Sequence, residues 1–506
     1  MGFLLIALVV GLGSTAPSVA LKGEDSNNSA VEGTGEDTDN SSTLPSGVTP
    51  QDQASTTAAA PENWYGEPPL VEANFARPVR AISSYANSDF SQLNDLERLI
   101  RGSYRDPNTG KDRPSATRKA NTVYMSISRM ENSYRVGREL IAAARKGVTV
   151  RVIHGKASQS KESRWLQREL NKTRTGKFKI CAKGRSNACL AQRTGAIMHS
   201  KILMVKDTFD RDKVHRMGAF WSGSANLGGP SGERTWNNGW TIYNDKKIWV
   251  QMTKAWADMW AERNVNDDYP YYVRRQVSRD PNRYGISAAD AVKYGYNSRA
   301  AYRGVFYSNR SNVTYYMTPI YATPTNGRDP VMAMLKRVIP DSQCRIYLQE
   351  NRFKYRRIAV AQKLVELANK GCRIEAIAFR DDLKVNRIDH CQQWIRICKP
   401  ILDEFRRANV RIPAAWAKPH DKTILVDAKM KPNAYNPAET LPNGQPFPSG
   451  GERIKLVQAG SAALTGSNLV VSDEITTETT NPAIFDQYLE HWKAINRSRE
   501  FHAYAY

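Results

Sequence analysis

The sequence predicts an α/β fold in which two duplicated α/β sandwich halves are related by a pseudo-twofold axis and share one active site. Three observations lead to this prediction. A strand–helix–strand pattern occurs twice, a histidine-lysine segment follows each copy, and a Gly-Ser pair ends the apolar strand after each histidine. At 506 residues the chain is also too long for one ordinary domain core. Because the features recur in one order, we expect two copies of one structural unit.

Each strand–helix–strand unit is visible in its residue pattern. The first runs from Asn121 to Gly155 and the second from Ser342 to Phe379. Each opens with an alternating apolar strand and continues into a segment with apolar residues at helical spacing. Each helix ends at a Lys-Gly pair typical of a glycine C-cap, and another apolar strand follows at once. Such a unit predicts two parallel strands joined by a right-handed crossover.

The two histidine segments supply the candidate chemistry. His199 and Lys201 follow the first glycine cap, and His420 and Lys422 follow the second, at similar distances of 52 and 49 residues. Residues two apart in a strand project from the same face. If the halves pack about a pseudo-twofold axis, two imidazoles and two ammonium groups converge. Such a set can bind a phosphate, attack phosphorus with one imidazole and protonate the leaving oxygen with the other.

Small polar residues follow each histidine strand. The first copy reads Gly-Ser-Ala-Asn, with Ser224 and Asn226, and the second reads Gly-Ser-Ala-Ala, with Ser461 and Ala463. Small residues at a strand end allow backbone N–H groups and hydroxyls to approach an anion closely. We therefore expect both stretches to bind or support a phosphate group, the alternative being ordinary tight turns.

These residues resemble the signature of the phospholipase D superfamily, His-x-Lys-x4-Asp followed by Gly-Ser-x-x-Asn, present twice. His420, Lys422 and Asp427 match it without a gap. In the first copy Lys206 occupies the aspartate position. In the second copy alanine occupies the asparagine position, for which either Asn468 substitutes or nothing does.

An acidic stretch follows the Gly-Ser segment in that family. Ser472-Asp473-Glu474 is similar to it, and Trp236-Asn237-Asn238 is a weaker counterpart in the first copy. The resemblance covers both halves, which is most of the chain.

The resemblance implies one active site between two α/β halves and a covalent phosphohistidine intermediate. It assigns nucleophilic attack to His199 and acid–base catalysis to His420, with the reverse assignment open because Lys206 replaces an aspartate. Asp427 and Glu474 would orient the imidazoles.

The remaining candidate residues would hold the phosphate. The lysines would compensate its charge, so no metal or other cofactor is expected. The predicted catalytic set is His199, Lys201, His420, Lys422 and Asp427, and the phosphate-binding or supporting set is Ser224, Asn226, Ser461, Glu474 and Asn238.

Composition divides the chain into five segments. Residues 1–20 read as a secretory signal peptide, or alternatively as a membrane anchor because no positive charge precedes the apolar run. Residues 21–73 are acidic and rich in Ser and Thr, which predicts disorder. A first phospholipase D-like domain is expected at 74–265, a polar connection at 266–310 and a second such domain at 311–506.

The body of the protein is strongly basic. The whole chain carries +23 and residues 21–62 carry −7, so the rest carries about +30. Such a charge attracts phospholipid head groups, nucleic acid or teichoic acids. The alternative is that it only maintains solubility.

The six cysteines of an exported chain predict disulfides. Short separations favour two of the pairs and leave the third by remainder: Cys181–Cys189, Cys391–Cys398 and Cys344–Cys372. The sequence has no Cys-x-x-Cys pair, so a structural zinc site is not expected.

Three functions fit these observations. The first is a secreted, extracellular phospholipase D, acting as a monomer at an anionic or zwitterionic phospholipid surface and releasing phosphatidic acid and a head-group alcohol. The second is a secreted, metal-independent nuclease, since contacts to a DNA backbone need no sequence reading. The third is a non-catalytic surface protein whose degenerate site only binds anions.

Overall fold

The computed structural model describes fourteen segments of the chain. These are residues 67–78, 88–156, 159–181, 187–190, 196–262, 305–318, 329–354, 357–379, 397–410, 414–415, 419–436, 439–470, 472–497 and 501–502. The predicted signal peptide, most of the predicted disordered segment and most of the predicted connection lie outside them. No described helix combines the length and apolarity that crossing a bilayer would take.

The first half, residues 67–262, is built on a seven-stranded sheet. Its strands, with a separate two-residue pair β3 and β8, are β1 Leu70–Ala76, β2 Thr122–Ile127, β3 Met130–Glu131, β4 Thr149–Gly155, β5 Gly176–Cys181, β6 Ile202–Phe209, β7 His215–Gly223, β8 Leu227–Gly228 and β9 Asn237–Tyr243. The sheet order is β1-β9-β7-β6-β2-β4-β5. The pairs β2–β4 and β4–β5 are parallel, as the predicted strand–helix–strand unit requires, and the other pairs are antiparallel.

Helices cover both faces of this sheet. They are α1 Ser91–Gly102, α2 Ser115–Ala120, α3 Arg135–Arg145, α4 Lys161–Asn171, α5 Pro230–Glu233 and α6 Lys246–Trp260. The apolar sides of α1, α3 and α4 form one core with the sheet, and α6 packs on the opposite face. Asp245 is the N-cap of helix α6, and its carboxylate accepts the Ile248 N–H at 3.1 Å.

The second half, residues 305–502, repeats this plan in a ten-stranded sheet. Its strands are β10 Val305–Ser308, β11 Val313–Met317, β12 Val338–Ile339, β13 Arg345–Glu350, β14 Arg373–Phe379, β15 Ala414–Ala415, β16 Lys422–Met430, β17 Glu452–Gly460, β18 Ile475–Thr479 and β19 Phe501–His502. Its helices are α7 Pro330–Arg337, α8 Ile358–Asn369, α9 Lys399–Arg407, α10 Gly466–Val470 and α11 Pro482–Asn496.

The strand order demonstrates the duplication. In the second sheet, seven neighbouring strands follow the order β11-β18-β17-β16-β13-β14-β15. As in the first sheet, the first four pairs along this order are antiparallel and the last two are parallel. The predicted α/β class with two duplicated halves is therefore confirmed.

Each half places its last described long helix between the two sheets. Helix α6 packs with β7 of its own half and against β10 and β11 of the second half. Helix α11, which begins at Asn481 and Pro482, packs with β17 of its own half and against β1 and Trp240 of the first. Two buried apolar layers therefore join the halves.

Two strands begin inside segments that the sequence assigns to disorder or to the connection. Strand β1 begins at Leu70, inside the range predicted as disordered, because its alternating residues pair antiparallel with β9. Strand β10 begins at Val305, inside the predicted connection, because it forms a hairpin with β11. In both cases a short strand is stabilised by pairing with another strand, which is distant in sequence for β1 and adjacent for β10.

Two of the three predicted disulfides are confirmed. Cys181–Cys189 and Cys344–Cys372 are bonded, with sequence separations of 8 and 28 residues. The third predicted pair involves Cys391, which lies outside the described residues.

The Cys344–Cys372 bond ties the start of β13 to the strand that follows α8. We expect the Cys344→Ser, Cys372→Ser double variant to lose about 3 to 4 kcal/mol of unfolding free energy, because the bond restricts the unfolded chain. Denaturant titration measures the loss. The Cys181–Cys189 bond closes a shorter loop, so the matched Cys181→Ser, Cys189→Ser variant should lose about 2 to 3 kcal/mol. Equal stability of the wild type and both variants would contradict this account.

Candidate active site

Backbone hydrogen bonds between the halves bring the two histidine segments together. His199 precedes β6 and its N–H donates to the Asp473 carbonyl at 2.9 Å. His420 precedes β16 and its N–H donates to the Trp236 carbonyl at 2.9 Å. Each histidine is thus hydrogen-bonded to the other half, His199 to the segment before β18 and His420 to the segment before β9. Both imidazoles line one cavity of about 450 Å³.

His199 has a carboxylate partner. Its Nδ1 lies 2.8 Å from Oε2 of Glu474, a residue with no exposed side-chain surface. Ser461 and Asn468 also donate to that carboxylate. The Glu474 N–H donates to the Thr318 hydroxyl at 2.9 Å, so the backbone is held as well. This set leaves Nε2 of His199 for the cavity.

His420 has an amide partner instead. Its Nδ1 lies 3.1 Å from Oδ1 of Asn237. The Asn237 amide nitrogen donates to the carbonyls of Ser231 and Thr235 at 3.0 and 2.9 Å, which fixes the direction of the amide. Because an amide oxygen only accepts, this hydrogen bond forms when Nδ1 of His420 carries a proton, and Nε2 is then available for chemistry; the Lys422 Nζ lies 3.3 Å from the same Nδ1.

The lysines lie beneath the histidines and are almost fully buried. Lys201 Nζ donates to the His199 carbonyl at 2.6 Å, and Lys422 Nζ donates to the His420 carbonyl. Burial lowers the pKa of Lys201 to about 7 and of Lys422 to about 8, against the opposing attraction of Glu474. Burial likewise raises the pKa of Glu474 to about 8, and Lys201 opposes that rise.

The positive groups also act on the nucleophile candidate. Burial lowers the pKa of His199 well below its ordinary value, and Lys201 and Lys422 lower it further. His199 is therefore neutral near pH 7, which is the form that can attack phosphorus.

Two arginines occupy equivalent positions at the cavity. Arg129 and Arg352 each stand two residues after the end of β2 and β13, the strands next to the histidine strands. The cavity lining consists of Ser128, Arg129, Ile197, Met198, His199, Asn226, Asn351, Arg352, His420, Lys422, Ala463 and Asn468. It is mostly polar and cationic, which suits an anionic ligand.

The serines of the Gly-Ser pairs brace the histidine partners. Ser224 donates to Oδ1 of Asn237 at 3.1 Å, and Ser461 donates to Glu474. Both serines are completely buried. Their support is therefore indirect, through the groups that hold the imidazoles. Asn226, in contrast, lines the cavity directly.

Asn468 compensates in part for the alanine at 463. It lines the cavity and donates to Glu474, while Ala463 lines the same wall without a polar group. Asn468 stands seven residues after Ser461, where the first half has Ser231 seven residues after Ser224. It reaches the site from helix α10 and not from the Gly-Ser strand end.

The predicted role of Asn238 belongs to its neighbour. Asn238 donates to Asp421 at 2.6 Å and to Thr423 at 2.9 Å, so it contacts the back of the His420 strand. Asn237 contacts the imidazole. The sequence held the signal, since Asn237 follows Ser224 by 13 residues and Glu474 follows Ser461 by the same 13.

The prediction that Asp427 orients an imidazole is wrong. It is five residues after Lys422 on one strand, so its side chain leaves the opposite face, about 16 Å further along. Its carboxylate pairs with Arg453 at 3.4 Å. In the first half Asp207 pairs with Arg113 and His215 at 2.8 and 2.6 Å, so lysine at 206 removes nothing from the site.

One family model matches part of the first half. Residues 115–260 match the family model described as "Cardiolipin synthase, PLD-like domain". No curated protein sequence matches the chain. Among the described residues, no cluster of three or more His, Cys, Asp or Glu side chains is arranged to hold a metal ion.

Several solved structures are similar in part. Phosphatidylserine synthase of Haemophilus influenzae is 8% identical, with 87% of this chain and 90% of that chain covered and a TM-score of 0.46. Polyphosphate kinase of Porphyromonas gingivalis is 10% identical, with 84% and 50% covered and a TM-score of 0.41, so the chain spans half of that kinase. Nuc of Salmonella typhimurium is 15% identical, with 38% and 95% covered and a TM-score of 0.25.

Anion binding to this cavity should depend on pH. Sulfate keeps its charge across the range, whereas Lys201 and Lys422 lose theirs as the pH rises through about 7 and 8. We expect sulfate affinity to be highest below pH 7 and at least about tenfold weaker at pH 9.5. Calorimetric titration at several pH values measures it.

The control substitution is Lys254→Met, which removes an exposed lysine of helix α6 outside the cavity. It should leave the pH dependence unchanged, while Lys201→Met should weaken binding below pH 7. A sulfate affinity that is flat from pH 6 to 9.5 would refute the assignment of these lysines.

Proposed function

Since the chain belongs to the phospholipase D superfamily, we propose that it is an exported phospholipase D that hydrolyses glycerophospholipids to phosphatidic acid and a head-group alcohol. The observation that carries the proposal is the unequal support of two imidazoles in one cationic cavity. His199 is backed by the Glu474 carboxylate, and His420 is backed by the Asn237 amide. Two such imidazoles can serve as nucleophile and as acid–base catalyst.

The first step forms the covalent intermediate. Nε2 of neutral His199 attacks phosphorus, and the bond from phosphorus to the head-group oxygen breaks. His420, protonated on both ring nitrogens, gives its Nε2 proton to that oxygen, and the alcohol leaves. The Glu474 carboxylate accepts a hydrogen bond from Nδ1–H of His199, which keeps its proton, and so stabilises the positive charge that develops on the phosphorylated ring.

The second step restores the enzyme. Nε2 of His420, now without its proton, removes a proton from water, and the resulting hydroxide attacks phosphorus. The phosphorus–nitrogen bond breaks, which releases phosphatidic acid and regenerates neutral His199. The ammonium groups of Lys201 and Lys422 offset the negative charge on the phosphoryl oxygens in both steps.

The lipid substrate and the extracellular location rest on charge and on the first residues of the chain. A body of about +30 can bind an anionic bilayer surface, and residues 1–20 have the pattern of an export signal. A secreted nuclease is the second candidate. The pair Arg129 and Arg352 favours it, because arginines at both equivalent positions of the cavity suit a substrate with successive phosphates.

Phosphatidylcholine vesicles test the main proposal. The wild type should release choline in the presence of EDTA, and in ethanol it should also form phosphatidylethanol, because an alcohol can replace water in the second step. Lipid chromatography measures both products. Plasmid DNA should stay intact in the same buffer. Cleavage of DNA without lipid turnover would replace the lipid proposal with the nuclease.

The division of roles between the histidines is tested with a substrate whose leaving group needs no proton, a bis(p-nitrophenyl) phosphodiester. We expect His199→Ala to lose activity on this ester and on lipid, about 10³-fold or more, because it lacks the nucleophile. His420→Ala should lose lipid turnover but keep a stoichiometric burst of nitrophenol, since only its proton-donor role is missing. Absorbance at rapid mixing measures the burst.

The matched control is His215→Ala, which removes an imidazole half-exposed on β7 and paired with Asp207 outside the cavity. It should retain both activities. A burst from His199→Ala and none from His420→Ala would reverse the two roles.

A further inference from the structure

The two site lysines have different neighbours across the sheet. In the second half, β13 and β16 pair antiparallel with Glu350 directly opposite Lys422. In the first half, β2 and β6 pair with Ser126 opposite Ile202, and the same register continued by one residue sets Ile127 opposite Lys201. Directly opposed residues of an antiparallel pair project from the same face. A carboxyl group therefore stands beside one lysine and an alkyl group beside the other.

Glu350 carries a buried carboxyl group. It is 3% exposed, and its carboxylate accepts the Leu464 N–H at 3.2 Å. The nearby guanidinium of Arg357 donates two hydrogen bonds to the Asp329 carboxylate, and the one from Nη2 is 2.8 Å long. Glu350 and Lys422 both line a second cavity of about 30 Å³ behind the site, which is large enough for a water molecule. A buried carboxylate in this setting needs a compensating charge.

We propose that Glu350 is a positioning residue that keeps Lys422 in its ammonium form, so that the second lysine stays charged under conditions where the first does not. This inference rests on the proposed phosphodiesterase site. It gives the halves unequal tasks: Lys422 keeps its charge to higher pH than Lys201, which is the first of the two lysines to become neutral.

The charges around each lysine agree with this division. Lys422 is faced by Glu350 from β13, by Glu474 from the segment before β18, by Asp421 on its own chain segment and by Arg352. Burial lowers its pKa only to about 8 because three carboxylates oppose the effect.

Lys201 has a different set of charged neighbours. Glu474 raises its pKa, Lys422 and Arg129 lower it, and burial brings it to about 7. Burial raises the pKa of Glu350 well above its ordinary value, and the Leu464 N–H and Lys422 oppose this rise. Glu350 and Lys422 therefore stabilise each other's charged forms.

The test is the pH dependence of Glu350→Gln, which keeps the side-chain shape and removes the charge. We expect sulfate affinity, and kcat/KM on the accepted phosphodiester, to fall on the alkaline side about one pH unit earlier than in the wild type. The loss should be up to about tenfold at pH 8 and less than about twofold at pH 6. A variant that is merely damaged would lose the same factor at every pH.

Two further variants keep the test decisive. Lys422→Arg carries a charge that is independent of pH, so adding Glu350→Gln to it should move the alkaline limb no further. Glu162→Gln removes another buried glutamate, 2% exposed on α4 in the other half, and should leave the limb in place. Glu350→Asp, which restores a carboxylate, should recover part of the shift if Glu350→Gln folds poorly.

The outcomes separate this inference from the proposed function. A normal alkaline limb in Glu350→Gln, or a shift that persists in Lys422→Arg, overturns the role of Glu350 even if lipid is hydrolysed. If no phosphodiester is turned over, the proposed function fails, and the sulfate profiles alone decide on Glu350.

Discussion

The structure depends on two crossed backbone hydrogen bonds, from His199 to Asp473 and from His420 to Trp236. Each bond carries a histidine of one half to the chain of the other and aligns the next residue, Glu474 or Asn237, with the imidazole ring. Neither half contains a complete pair of imidazole and orienting group. The candidate site is thus a property of the interface between the halves, which the buried helices α6 and α11 help to form.

The cluster at this interface is electrostatically costly. Two lysines, Glu474 and Glu350 are nearly or fully buried. Burial lowers the pKa of the lysines and raises the pKa of the glutamates, which favours the neutral form of each. Buried charges of this kind do little for stability, and perturbed pKa values gather where chemistry is done. An entering phosphate would meet ammonium groups already placed, so little reorganisation would remain for the reaction itself.

The duplicated halves have kept the reacting groups and changed their surroundings. Histidine, lysine, the serine of the Gly-Ser pair and the cavity arginine occupy equivalent places in both halves. The partners differ at equivalent positions. The first half has Asn237, Asn226 and Ile127 where the second half has Glu474, Ala463 and Glu350. Differences confined to the supporting groups give two identical imidazoles and two identical amines distinct electrostatic environments, which is what a reaction with separate acid and nucleophile needs.

Much of this could be predicted from the sequence, because it depends on short-range periodicity. Alternation and helical spacing predicted the sheet strands around the motifs, and the repeated order predicted the duplication. The family signature predicts an orienting role for Asp427. Its odd spacing from Lys422 along the strand instead directs its side chain to the opposite face of the sheet. Asn237 was missed for its neighbour Asn238, although the 13-residue spacing from Ser224 singled it out. Glu350 could not be found, since its importance comes from a cross-strand register that no local pattern encodes.

The carboxylate of Asp473 accepts the N–H groups of Cys189 and Leu190, directly after the Cys181–Cys189 bond. A disulfide of the first half thereby holds Asp473, the residue next to Glu474, in the second half. Reduction of this disulfide would therefore loosen the segment that holds Asp473, and with it the position of the neighbouring Glu474.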